Sequence, residues 1–204
     1  MRTIAFVFLI VLQLSQAVYA QNKIFLLNGK SITTDTLSYD FPANIIYYNN
    51  PDRHKTKMID GSEVFSFVDA QNRETVVYTQ ADKESLSIAE MRSVMQGQAV
   101  ALNEYNPIWP YLAGFGVGCA SMCLPVNSMV SITIPIGYNV GAAFMRPSGS
   151  HIMKKYPDLY TDDLFVYGYK ERGGNKILKR SVIGSVAGIA VGFTGMFLIS
   201  TLSK

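Results

Sequence analysis

Apolar and polar positions follow four successive patterns along the chain. Between residues 23 and 80 they alternate in short runs, the two-residue period of half-buried strands. From residue 87 the period lengthens: Ile88, Met91, Met95, Ala99 and Leu102 recur every three or four positions, as on one face of a helix. The stretch from Pro107 to Met145 contains no Asp, Glu, Lys, Arg or His, and neither does the stretch from Ser181 to Ser203. These patterns predict an α+β chain. A small all-β module and one amphipathic helix are followed by a helical membrane part of about three apolar segments.

Within the first pattern, strands are expected over 23–27, 30–34, 44–48, 55–59, 64–68 and 75–78. Asn28-Gly29 is the pair that a two-residue type I′ hairpin turn requires, because both central positions need positive φ. Asn49-Asn50-Pro51-Asp52 and Gln71-Asn72 mark further turns. Strands this short and this closely spaced predict a small bent sheet or an SH3-like barrel over residues 21–80. Ser87 and Glu90 are spaced as a capping box at the start of the helix in 81–106. Its apolar stripe is expected to pack on the β module, with Gly97 weakening its middle.

The charge-free stretch over 107–145 would reach nearly 60 Å as one helix, roughly twice the hydrocarbon thickness of a bilayer. A hairpin of two spans fits instead, turning near Pro125, with Pro135 kinking the second half. Gly114 with Gly118, and Gly137 with Gly141, are small residues four apart. In lipid such pairs let helix backbones approach closely. Gly184, Gly188 and Gly192 form a longer ridge of the same kind in the C-terminal transmembrane helix of 181–204. Its partner is either the hairpin or another copy of the chain. Tyr105, Trp109 and Tyr111 are placed as interfacial aromatics at the start of the first span. Lys176, Lys179 and Arg180 stand at the interface before the last one.

Composition sharpens this picture. Of 204 residues, 49% are hydrophobic and only 16% charged, below the roughly 25% usual for soluble domains. The net charge of +3 is unevenly divided. Residues 21–106 are mildly acidic, whereas 146–180, rich in Tyr, carry eight Lys/Arg against four Asp/Glu. In that block Tyr156, Tyr160, Tyr167 and Tyr169 cluster, Thr161-Asp162-Asp163 is placed to start a helix, and Gly173-Gly174 interrupts the pattern. A basic block beside an apolar span reads as a topology signal or a lipid-headgroup contact, and nucleic acid is discounted as a partner. Residues 1–20 read as a signal peptide: Arg2 precedes a short apolar run, and Val18-Tyr19-Ala20 fits a cleavage site.

Candidate chemistry is sparse. Cys119 and Cys123 lie one helical turn apart and read as small buried thiols, since no further metal ligands stand near them. His54 and His151 lack recognisable partner motifs. Asp52, His54, Asp60 and Glu63 read as solvated turn residues. No phosphate loop, nucleophile elbow or zinc spacing is present, so neither an enzyme nor a cofactor is expected. The residues point to a structural or assembly protein of the cell envelope, the β module being its interaction face. A small oligomeric channel or transporter component is the alternative. Partners are then membrane lipid and either another protein or a second copy bound through the Gly-rich helix.

The segment Asn22-Lys23-Ile24-Phe25-Leu26-Leu27-Asn28-Gly29-Lys30 resembles the opening of a group of uncharacterised exported bacterial membrane proteins. Gly97-Gln98-Ala99 and Tyr167-Gly168-Tyr169-Lys170, ahead of a Gly-rich apolar end, are similar to the same group. The resemblance implies the domain order, a β module followed by a membrane part; the signal segment puts the module outside the cytoplasm, and the inner membrane is expected in preference to the outer. It implies no activity. Three apolar passes would place residues 146–180 outside, against the positive-inside rule. The block is cytoplasmic instead if one half of 107–145 is re-entrant.

Overall fold

The computed structural model describes residues 21–50, 55–82, 84–124 and 128–202. The signal segment, Asp52 and His54, Pro51 and Pro125 lie outside the described residues. The chain divides into two compact units, Met1–Thr79 and Gln80–Lys204.

The first unit is all β. Seven strands, β1 (Asn22–Leu26), β2 (Ser31–Thr34), β3 (Leu37–Asp40), β4 (Ile45–Asn50), β5 (Lys55–Asp60), β6 (Val64–Val68) and β7 (Glu74–Val76), form two antiparallel sheets. Their orders are β2-β1-β6-β7 and β3-β4-β5. Two sheets stand where a small bent sheet or an SH3-like barrel is expected, and β3, which the sequence pattern does not predict, edges the second. Alternation selects Ile24 and Leu26 of β1 and Ile46 and Tyr48 of β4, which are buried together with Val64 and Phe67 of β6, where a register shift at Phe25/Leu26 sets the facing residues three apart. The Thr34 hydroxyl ties the sheets by donating to the Asn49 carbonyl at 2.7 Å. Strand β6 is buried on both faces, with Phe65 stacked beneath Tyr78 at 6.0 Å.

The first hairpin differs in detail from expectation. Leu26 and Lys30 close the loop, and the Gly29 N–H donates to the Leu26 carbonyl at 3.0 Å. Gly29 has φ 75°, whereas Asn28 is not among the positive-φ residues. A type I′ turn needs positive φ at both central positions. The loop is instead three residues long with Gly29 alone in the left-handed region, the geometry of a bulged hairpin.

The second unit is helical: α1 (Ile88–Glu104), α2 (Trp109–Cys123), α3 (Ser128–Ala143), α4 (Gly149–Lys155) and α5 (Asp163–Leu202). The α1 capping box forms as the sequence dictates. The Glu90 carboxylate accepts from the Ser87 N–H at 2.8 Å, and the Ser87 hydroxyl from the Glu90 N–H at 3.4 Å. The buried face of α1 is not the expected stripe. Val94, Met95, Gly97, Gln98 and Ala101 are buried while Ile88 is exposed, and this face packs on α5. Helix α5 runs unbroken for 40 residues, about 60 Å, straight through Gly173-Gly174. Those glycines receive Pro147 and Arg146, each 2.3–2.6 Å from where a Cβ would stand, so they serve as sockets rather than an interruption.

Among the described residues, α5 is the one helix long and apolar enough to cross a membrane. The stretch 107–145 folds as α2 and α3, of 15 and 16 residues, each short of the roughly 20 that a helical crossing uses. Pro135 lies inside α3 and is fully buried.

Ile24 has no exposed surface and sits at the centre of the β core. A chain of residues 21–79 should fold alone, and Ile24→Ala should destabilise it by about 2–5 kcal/mol in urea followed by circular dichroism. A loss well below 1 kcal/mol would mean that the two sheets do not share this core.

Candidate functional site: a glycine-lined helix pair

Helices α2 and α5 meet backbone to backbone. A Cβ at Gly114 would stand 2.4 Å from the Ser181 carbonyl oxygen, and one at Gly118 would stand 2.4 Å from that of Ser185. The contact is returned from the other side. A Cβ at Gly184 would lie 2.1 Å from the Tyr111 oxygen, and one at Gly188 would lie 2.2 Å from the Phe115 oxygen. Gly192 extends the seam to Cys119 and Met122. Real Cβ atoms do not approach carbonyl oxygens this closely, so only glycine fits. Residue numbers rise together along the seam, so α2 and α5 run parallel. The pairs 114/184 and 118/188 share one sequence offset, giving the contact a local pseudo-two-fold symmetry.

The same rail continues into α1. A Cβ at Gly97 would lie 2.1 Å from the Phe165 oxygen, and one at Gly168 would lie 2.1 Å from the Val94 oxygen. Gly97 is therefore the crossing point of α1 and α5, not a weak spot. The partner left open by the sequence is thus a helix of the same chain, and it is α2, the first half of the apolar stretch.

The other expected pair behaves differently. A Cβ at Gly137 or at Gly141 would meet nothing within 4 Å. Helix α3 is held by polar groups instead. The Ser181 hydroxyl donates to the Asn139 amide oxygen, and the Asn139 amide donates to the Ser185 hydroxyl at 3.3 Å. The Tyr138 hydroxyl donates to the Pro110 carbonyl at 3.4 Å, setting the end of α3 beside the start of α2. Asn139 thus hydrogen-bonds α3 to α5.

The expected interface residues divide. Trp109 is exposed at the start of α2. Tyr105 turns inward, edge-on to His151 at 5.6 Å and to Tyr169 at 5.9 Å, and Tyr111 is half-buried with its carbonyl against Gly184. Around Tyr105, the residues Ala101, Ile152, Phe165 and Tyr169 form a second buried core. The Lys176 ammonium donates to the Tyr105 carbonyl at 2.8 Å and to that of Leu102, capping the open end of α1. The Arg180 guanidinium donates to the Asn106 side chain, and Lys179 is exposed. Glu104 takes Lys155 and the Tyr156 hydroxyl, which together hold its carboxyl below the usual range.

Among the described residues, the cysteines and the acidic turn residues do not converge. Cys119 is half-buried, its thiol 3.3 Å from the Gly188 carbonyl, while Cys123 is exposed, contrary to the expectation that both are buried. Asp60 accepts from the Ser62 N–H at 2.8 Å and caps a short 3-10 turn, Gly61–Glu63. Among the described residues no three His, Cys, Asp or Glu side chains are grouped as metal ligands.

Gly188→Ile should force α2 off α5 and destabilise the full chain in detergent by about 1–3 kcal/mol or more, read as a lower melting temperature and faster proteolysis. Gly137→Ala should be neutral or stabilising by up to about 1 kcal/mol, because α3 has open space there and alanine favours the helix. Equal effects of the two changes would contradict the assigned seam.

Comparison with known proteins returns no match: no family model, no curated protein and no solved structure corresponds to this chain.

Proposed function

We propose that the chain is a non-enzymatic membrane protein of the bacterial cell envelope. Its helical unit anchors an extracytoplasmic β module, and it has a structural or assembly role in which that module meets a protein partner. The observation that carries this reading is the inside-out sorting of side chains in α2, α3 and the C-terminal half of α5. Their buried positions are small or polar: Gly114, Gly118, Ser121, Ser131, Ser181 and Ser185. Their exposed positions are large and apolar: Leu112, Ile132, Ile136, Val140, Val186, Val191, Phe193 and Phe197. A water-soluble bundle buries its large apolar residues. A bundle in lipid gains nothing by burying them, and packs instead through small residues and hydrogen bonds.

In this reading α2, α3 and the end of α5 lie side by side in the bilayer, the two shorter helices shielded by the longer one. The start of α2, the end of α3 and the middle of α5 are at one level. The basic 146–180 block is therefore on the same side as α1, and the C-terminal end of α5 is on the other. The interior hydrogen bonds of Asn139 are used in helix packing, which favours an anchor over a conduction path.

Single cysteines at Ser85, Ser150 and Thr201, with Cys119 and Cys123 replaced by Ser, test this arrangement. In intact spheroplasts a membrane-impermeant maleimide should label positions 85 and 150 alike and leave position 201 unlabelled, and the chain should resist alkaline carbonate extraction. Release by carbonate, or opposite labelling of 85 and 150, would overturn the reading. Cross-linking after mild detergent extraction should capture the partner through residues 21–79.

A further inference from the structure

Where α2 begins and α5 turns apolar, a cleft of about 320 Å³ is lined by Asn106, Lys176, Lys179, Arg180 and Ile183. Three cations line it and no carboxylate does. Two of them are fixed by neutral acceptors. Lys176 is held by the Leu102 and Tyr105 carbonyls, and Arg180 by the Asn106 side chain. Such bonds set position without cancelling charge. Among the described residues none of the three cations is in an ion pair. The two acidic groups of the neighbouring helix turns are occupied elsewhere: Glu104 by Lys155 and Tyr156, and Glu171 by the Gln98 amide at 2.8 Å.

The surroundings of the cleft name the kind of anion. Its lining includes Ile183, and next to it along the chain Ile108, Val182 and Val186 are exposed and apolar. A free inorganic anion has no use for that surface. A molecule with a phosphate at one end and hydrocarbon at the other would satisfy both halves. We propose that this cleft binds the phosphate of an anionic phospholipid headgroup, with the acyl chains lying along the exposed apolar side of α2 and α5. The assignment rests on the membrane reading above. It gives the basic side chains a role other than topology: they fix the depth of the bundle at the headgroup level.

Two measurements on the full chain separate the assignments. Flotation with phosphatidylcholine vesicles tests embedding alone. Native mass spectrometry in mild detergent, with phosphatidylglycerol, phosphatidylcholine or inorganic phosphate added, tests the cleft. Phosphatidylglycerol should be retained over phosphatidylcholine. Lys179→Glu, at an exposed position, should lower that retention by about fivefold or more while protease resistance stays unchanged. Lys154→Glu, an equal charge change at an exposed position of α4, should leave it as it is. Equal retention of the two lipids, an equal loss with Lys154→Glu, or displacement of the lipid by inorganic phosphate would overturn the proposal. Failure to float would remove both readings, whereas flotation with equal retention would remove only the lipid site.

Discussion

The helical unit depends on the direct contact of backbone with backbone along α5. At Gly97, Gly114 and Gly118 on one side, and Gly168, Gly184 and Gly188 on the other, the missing side chains let carbonyl oxygens of the facing helix approach to within 2.1–2.4 Å of where a Cβ would be. In an apolar surrounding no hydrophobic drive pushes helices together, so dispersion contact along a close seam has to supply the association. The seam is also specific. A parallel pair whose glycines interleave has one register, because a slip of one residue sets a Cβ against a carbonyl. That register then determines the rest. With α2 parallel to α5, α3 must return antiparallel, and Asn139 arrives opposite Ser181 and Ser185.

Helix α5 joins two kinds of packing on a single rail. Its first half meets α1 and α4 through Phe165, Tyr169 and Ile152, a buried aromatic core of the sort found in water-soluble domains. Its second half meets α2 through glycine and serine, with large apolar side chains turned outward. Lys176 and Arg180 mark the change. Each is anchored to the segment between α1 and α2, so the break in one strand of the rail is stitched to the unbroken helix beside it. A continuous helix through this junction transmits position rigidly, which is what the proposed anchoring role requires.

Local features were legible in the sequence because local chemistry decides them. The Ser87–Glu90 capping box, the start of α5 at Asp162, whose carboxylate accepts from the Leu164 N–H at 2.9 Å, and most strands fall where pattern and turn residues place them. The seam glycines on α2 and α5 could be picked out by their four-residue spacing. Which helix each would meet could not, since spacing alone does not distinguish a parallel partner from the antiparallel neighbour in the hairpin. Gly137 and Gly141 carry the same spacing and face open space. Gly97 reads as a weak point in the sequence because propensity counts a mid-helix glycine as a loss, whereas close approach to Phe165 requires it. The continuity of α5 through Gly173-Gly174 was hidden for the same reason: Pro147 and Arg146 fill those positions from outside the helix.

The central claim is that α2 and α5 of one chain lie parallel and in register. Pulsed electron paramagnetic resonance tests it directly, with spin-label pairs at Trp109 and Val182 near one end and at Cys123 and Met196 near the other, Cys119 being replaced by Ser. All four labelled positions are exposed. The account predicts that both distances are short, set by the roughly 8–10 Å between packed helix axes plus the label arms, and unchanged when labelled protein is diluted with unlabelled. A further separation of about 20 Å along the axis in both pairs, the length of α2, would show an antiparallel pair, and signals that vanish on dilution would show that the seam joins two copies.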